Sequence, residues 1–584
     1  MNKEGRNVRL VIVLMIALTL LDVMGRAEDK MAFVRGSVKV ADAKGMLRVE
    51  DMVRRAGKLG YNGLVFQGDI EDLWRYSDAE RDRILSLKRT CDEAGLDLIP
   101  AVWSVGYGTM QHADPNLAEG MLVRDVPYQV SSDGKTAEFV PEECSVENAG
   151  FESVVIKDDG VFSLPGWMSV DGPGRVAFVD AGVRDEGRQS LRFELGESGK
   201  AKDPQARVSR CLFVKPHRQY RVSVRLKTED LDTTYGFQII VLTAPKGGEK
   251  SGETHVLTMN RPRLEPTNDW MTLTAEISSQ ENELVEVYIG SWHARAGRFW
   301  LDDFKVEELG LPDVLRRPGC PFAVADARTG EVYRPGLDYA EIQPLGKGQN
   351  KHPVRNRSLL LTISTDSKIA PGTRLSVSAY RGHVMKSDSQ RCTCMSEPAL
   401  YEYFEKSAHA IGDALRPRKW FLPMDEIRMG GTCAACAARK TDMAHIFADC
   451  VRRQREIIRS VSPDAEIFMW GDMINPCQNA RPQVYMCKGS FVGGADLIPK
   501  DITIVQWSAT DFDEAMAFFR EKGFRTVWSC DADGSWAAGV PSHVRHRLDY
   551  INRDANCRGF MFTTWSNSYP DEKLRHFADG LGRK

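Results

Sequence analysis

The chain has no excess of basic charge. Its formal net charge is −3 at pH 7 over 584 residues, and no basic stripe runs along any segment. That excludes the electrostatic footprint of a nucleic-acid binder and a polybasic patch for membrane surfaces. The apolar run Leu10–Leu21 is too short for a comfortable membrane span, and no other segment could cross a bilayer. There is no glycine fingerprint for phosphates or dinucleotides after a strand, and no Gly-x-Ser-x-Gly elbow. Histidines are few, and His112 and His383 lack metal-ligand spacing. Internal repeats and low-complexity tracts are also missing.

Several features are present. Lys3, Arg6 and Arg9 precede the apolar run Leu10–Leu21, and Gly25-Arg26-Ala27 offers a small-x-small cleavage site. Residues 1–27 therefore read as a signal peptide, and the mature protein is expected to be exported, periplasmic or secreted. Thirteen cysteines are an odd number, so one thiol is left over unless it bridges two chains. Cys392-x-Cys394 and Cys433-x-x-Cys436 leave several readings open: disulfides, which export favours, plain thiols, and a structural zinc with four thiolates. No other cofactor is expected.

Residues 28–140 begin with a strand–helix rhythm: MAFVRGSVKV, a helix over Glu50–Leu59, YNGLVFQGD, a helix over Asp78–Ala94, then GLDLIPAVWS. Gly60 and Gly95 punctuate the two helices. Over 144–310 the pattern becomes short alternating runs such as SLRFEL and YGFQIIVLT, which read as a β-sandwich. Residues 311–374 stay β-rich, as a linker or small β segment, and LSVSAY could also serve as a barrel strand. Over 375–584 the strand–helix rhythm returns with five strands. Three strands and five make the eight of an α/β TIM (β/α)8 barrel, interrupted by an all-β jelly-roll insertion.

Asp425 and Glu426 close the fourth barrel strand in KWFLPMDEIRMGG. Neighbouring residues on a strand face opposite ways, so both reach one pocket only where the strand turns into its loop. Such a pair can divide labour, one ionised and one protonated. The competing reading is a helix cap with a solvated glutamate. Other strand ends carry Arg35, Asp69, Trp103, Trp470 with Asp472, Trp507, Trp528, and Trp565 with Asn567. Aromatics recurring around carboxylates at one barrel edge suit a sugar pocket, because pyranose faces stack on indoles and hydroxyls need charged partners.

Residues 31–112 and 397–575 resemble glycoside hydrolase family 20, the β-N-acetylhexosaminidases. FVRGS, GLDLIPAVWSVGYG, ALYEYFEK, LPMDEI, MWGDMI, IVQW and MFTTWS carry the likeness in order. The resemblance implies a glycan substrate, Glu426 as general acid, and Asp425 orienting a 2-acetamido group that attacks the anomeric carbon, with no metal. It also implies that Arg35 holds hydroxyls and that Trp507 and Trp565 wall the pocket. The sequence departs from the family at Pro423-Met424, at Ala101, in the missing Pro-Gly-His loop, and at Trp565-Ser566-Asn567. Where the family has a seventh-strand tyrosine, this chain offers Asp531 and Asp533. These departures keep two alternatives open. One is a glycosidase for a non-acetylated sugar, with Asp69, Asp472 or Asp531 as partner. The other is a glycan-binding protein without chemistry. Residues 144–310 resemble carbohydrate-binding jelly rolls, through Asn148-x-Gly150-Phe151-Glu152, Trp167 and Trp300-Leu301-Asp302-Asp303-Phe304.

Overall fold

The computed structural model describes residues 30–157, 161–196, 205–232, 236–244, 254–292, 296–343, 358–382, 390–507, 511–534, 536 and 539–582. The expected signal peptide and His383 lie outside the described residues. Among the described residues no helix is long and apolar enough to cross a membrane.

Eight strands form one parallel sheet: β1 Met31–Ser37, β2 Gly63–Gln67, β3 Asp97–Pro100, β4 Lys419–Leu422, β5 Glu466–Trp470, β6 Ile502–Gln506, β7 Thr526–Asp531 and β8 Cys557–Thr563. Their order is β4-β5-β6-β7-β8-β1-β2-β3. A parallel bridge between Ala101 and Phe421 links the two ends of that order. The Val102 amide donates to the Phe421 carbonyl at 3.0 Å, across the same seam. The strands are mostly buried, largely apolar runs because side chains cover both of their faces.

One face of these strands points inward. Phe33, Val65, Ile99, Phe421, Phe468, Trp470, Val505, Val527 and Met561 form an enclosed apolar plug. The other face packs against helices, among them α1 Ala43–Lys58, α2 Asp78–Glu93, α3 Pro398–Leu415 and α4 Met443–Val461. Ser77 and Glu80 start α2 with a reciprocal capping box. Gly60 and Gly95, just past α1 and α2, take φ of +80° and +74°, which a side chain would resist. Two further helices, α5 Ser542–Arg553 and α6 Asp571–Gly580, complete the C-terminal end.

Between β3 and β4 lie two antiparallel units. One holds two five-stranded sheets around a shared core that includes Phe151, Trp167, Phe193, Phe299 and Phe304. The other is a six-stranded sheet with its own core around Tyr128, Tyr333 and Tyr339. Here the sequence boundaries need correction. Gly120–Val130 and Thr136–Phe139 lie in the stretch assigned to the first barrel half, yet they join the six-stranded sheet. Gly120–Val130 pairs antiparallel with Arg374–Gly382, which holds the ambiguous LSVSAY. Among the described residues of 311–374, the small β segment is the alternative that agrees with the structure. Ala323–Asp326, Val332–Tyr333 and Leu361–Thr362 supply part of this sheet, and LSVSAY, within Arg374–Gly382, is a strand of it and not of the parallel sheet.

Candidate active site

Strand alternation builds the site from the plug upward. Two residues beyond an inward plug residue, the next side chain of the same face emerges at the C-terminal mouth. Phe33 is followed by Arg35, Val65 by Gln67, Trp470 by Asp472, and Val505 by Trp507. From Phe421 the same count reaches Pro423 and then Asp425. The next residue, Glu426, takes φ +46°. This left-handed turn is costly for a side-chain-bearing residue, and such strain clusters at functional positions. It leaves the Asp425 and Glu426 carboxyls close enough for their charges to interact. Each is half-buried.

The loop after β3 presses on this turn. A Cβ at Gly106 would stand 2.1 Å from the Asp425 carbonyl oxygen, so only glycine permits the approach. The neighbouring Tyr107 then donates its hydroxyl to Glu426 Oε2 at 2.5 Å. Arg428 Nη2 lies 3.0 Å from the same oxygen. Arg428 is held in turn by the Tyr485 ring, 4.0 Å from its guanidinium carbon, and by Gln390 Oε1, which accepts from its Nε at 2.7 Å. The Glu426 amide donates to Asp472 Oδ2 at 3.0 Å, and Asn479 donates to that oxygen at 2.9 Å.

Asp425 and Asp472 are held above the ordinary carboxyl range. Burial pushes Asp425 up to about 8, the nearby Asp472 and Glu426 charges push the same way, and Arg35 opposes them. Burial raises Asp472 to about 6, against the bonds from the Glu426 amide and Asn479. Asp425 thus holds a proton at neutral pH. Burial also raises the Tyr107 phenol, and the Asp425 and Glu426 charges add to it, so its hydroxyl stays a donor.

Arg35 faces the pair from β1. Its Nε and Nη2 donate to Gln67 Oε1 at 3.0 and 2.6 Å, and Nη1 donates to the Thr564 carbonyl at 3.1 Å. Burial lowers its pKa from the usual guanidinium value. Trp565 lies over it, with the guanidinium carbon 4.3 Å from the ring, and remains 58% exposed. Asp533 fixes this loop by accepting from the Trp565 amide at 2.6 Å and from the Thr564 and Ser566 hydroxyls, each at 2.5 Å. Asn567 accepts from Tyr569, whose hydroxyl also donates to the Arg35 carbonyl.

Four expected substrate contacts lie elsewhere. Trp103 has φ +64°, which turns its ring away from the mouth; it stacks on Phe404 and donates to Ser407 Oγ at 3.0 Å. Trp528 follows the inward Val527, so it faces outward onto Phe512 and Phe577. Trp470 is a buried part of the plug beneath Asp472. Asp69 accepts from the Val40 amide and the Tyr76 hydroxyl, tying together the segments that follow β1 and β2. Strand-end position alone does not fix side-chain direction, and these four were read from position alone. Tyr107, Gln67, Arg428 and Asn479 were missed, although the glycine-flanked Gly106-Tyr107-Gly108 marked a close-approach loop.

The cysteines also need correction. All thirteen are unpaired thiols, which agrees with the plain-thiol alternative and not with disulfides. Cys394, Cys433 and Cys436 come together with Glu119, all four donor atoms lying within 4.8 Å of one another. Cys392 is not among them; its thiol contacts the Thr393 carbonyl at 3.3 Å. Residues 391–394 form no regular strand, only an isolated bridge from Thr393 to Ala118, so the two-residue spacing does not bring Cys392 to the cluster.

No family model matches the chain, and no curated protein matches it. Among solved structures, a family 4 carbohydrate-binding module is 18% identical over 28% of this chain and all of its own, with a TM-score of 0.21. A family 22 module of Clostridium thermocellum Xyn10B is 15% identical over 28% of this chain and 98% of its own, with a TM-score of 0.19. A family 20 exo-β-N-acetylglucosaminidase from Vibrio harveyi is 16% identical over 33% of this chain and 32% of its own, with a TM-score of 0.25. Likenesses of this strength carry no argument about activity.

Proposed function

We propose that this protein is an exported glycoside hydrolase of the β-N-acetylhexosaminidase type. It would use a (β/α)8 barrel for chemistry and the inserted jelly roll as a glycan-binding module. The observation that carries the reading is the turn at Asp425-Glu426, which sets two carboxyls of different surroundings side by side, with Arg35, stacked on Trp565, near enough to act on Asp425. In this reading Glu426 protonates the glycosidic oxygen and the aglycone leaves as an alcohol. Asp425 accepts from the substrate's 2-acetamido N–H, and the acetamido oxygen closes on the anomeric carbon. Water then opens the ring intermediate and returns a proton to Glu426. Because Asp425 is protonated in the free protein, accepting that N–H requires it to release its proton, and Glu426 is the adjacent carboxyl to receive it. Tyr107 and Arg428 orient Glu426, and Trp565 offers an indole face to a sugar ring.

Two observations favour other readings. Asp472 beside the pair could partner Glu426 on a non-acetylated sugar. The Arg428 ion pair on Glu426 would suit a glycan binder that does no chemistry. A panel of aryl β-glycosides, with NMR detection of the first-formed anomer, separates the three. Turnover confined to 2-acetamido sugars with retention supports the proposal. Turnover of other sugars supports the second reading, and binding of glycans without turnover supports the third.

A further inference from the structure

Independently of the barrel's chemistry, we infer that Cys394, Cys433, Cys436 and Glu119 form a closed structural site for one divalent ion of the zinc type. Cys394 Sγ lies 3.5 Å from Cys433 Sγ and 3.8 Å from Cys436 Sγ. A tetrahedral ion with metal–sulfur bonds of about 2.3 Å holds its sulfurs about 3.8 Å apart, whereas a disulfide holds them at about 2.05 Å. The observed spacings match the edge of a coordination tetrahedron. Glu119 Oε2 stands 3.6 Å from Cys436 Sγ, close enough to complete it.

The four side chains are buried. Burying three thiols and a carboxyl together is unfavourable unless something organises them. The surroundings are built as metal sites are, with outer bonds that orient the ligands. The Cys433 amide donates to Glu119 Oε1 at 2.8 Å, which leaves Oε2 for an ion. The Arg317 side chain is 5% exposed, with Nη1 on Glu397 at 2.8 Å and Nη2 on the Ala118 carbonyl at 3.0 Å, while its buried Nε has no partner. Three thiolates and a carboxylate around a divalent ion leave two negative charges, and Arg317 offsets one. On binding, the thiol protons pass to solvent, and no oxidation occurs. Cys320 stands behind Gly120, where its sulfur would be 2.7 Å from an added Cβ, and is the alternative fourth ligand.

The ion would join three segments that meet only in space: the end of the β3 loop, the approach to α3, and the loop that follows the acidic turn. Gln390 and Arg428, which position Glu426, belong to the second and third of these. The ion's role is to brace those loops, with no open position for substrate.

The test uses the full-length chain, purified without chelators under reducing conditions and supplied with zinc. Elemental analysis is expected to give one zinc per chain. Cobalt exchanged into the unmodified protein is expected to show thiolate charge-transfer and tetrahedral d–d bands, a readout that does not depend on any variant folding. Cys433→Ser and Glu119→Gln should lose the ion, while Cys392→Ser and Cys320→Ser should keep it. A reduced, folded chain that takes up no zinc and gives no thiolate–cobalt band would overturn the site. So would a native mass two hydrogens lighter from a Cys394–Cys433 bridge. Loss in Cys320→Ser with retention in Glu119→Gln would overturn the assignment of Glu119. None of these results depends on glycosidase activity.

Discussion

The Tyr107 hydroxyl donates to Glu426 Oε2 at 2.5 Å, joining the loop after β3 to the acidic turn after β4. A hydrogen bond to a charged group contributes about 1.5–3 kcal/mol, or roughly 10- to 150-fold in a rate at 1.36 kcal/mol per decade. Tyr107→Phe should reduce kcat/KM by an amount in that range while the far-ultraviolet dichroism stays unchanged. Steady-state kinetics on an aryl glycoside measures it. An unchanged kcat/KM would remove Tyr107 from the machinery.

Gly106 makes that bond reachable. Gly106→Ala places a Cβ 2.1 Å from the Asp425 carbonyl, so the loop must retreat. Overpacking of this kind costs about 1–3 kcal/mol. Denaturant unfolding should show that loss, and activity should fall further than in Tyr107→Phe because Asp425 is displaced as well.

Asp425 sets a pH dependence of stability. Its pKa is raised from an ordinary carboxyl value to about 8, so between those limits the folded chain binds the extra proton. Stability from this group is full at low pH and is lost as pH rises through about 8. Asp472, raised to about 6, adds a loss lower in the same window. Melting temperatures should therefore fall from pH 5 to pH 8.5, and fall less in Asp425→Asn above pH 6. Identical slopes for both proteins would contradict the protonated Asp425.

Two tryptophans should separate binding from folding. Trp565 is exposed over Arg35, so Trp565→Ala should raise KM several-fold with little change in stability. Trp103 is fully buried against Phe404, so Trp103→Ala should cost about 3–5 kcal/mol. Calorimetry and kinetics on both variants check the contrast.

The eight ring strands were legible because each is a short apolar run bounded by turns, and α1 to α4 because their apolar periods repeat. Helices α5 and α6 were not singled out; their sequences SHVRHRLDYINR and DEKLRHFADG are strongly charged. The pairing of Gly120–Val130 with Arg374–Gly382 was hidden because it is set by contacts about 250 residues apart in sequence, which local alternation does not encode. Asp425 and Glu426 stood out as a carboxyl pair at a strand end. Trp103, Trp470 and Trp528 did not reveal their directions, since one backbone torsion or one step of register exchanges mouth for core. Glu119 joins Cys394, Cys433 and Cys436 only once the chain is folded, so spacing suggested Cys392 in its place.

The most direct measurement is p-nitrophenol release from the aryl β-N-acetylglucosaminide and -galactosaminide by the unmodified protein and by Glu426→Gln. The account predicts turnover by the former and a loss of about 100-fold or more in the variant, the size of a general acid's contribution. Equal turnover in both proteins, or turnover of neither substrate alongside tight binding of the same sugars, would contradict it.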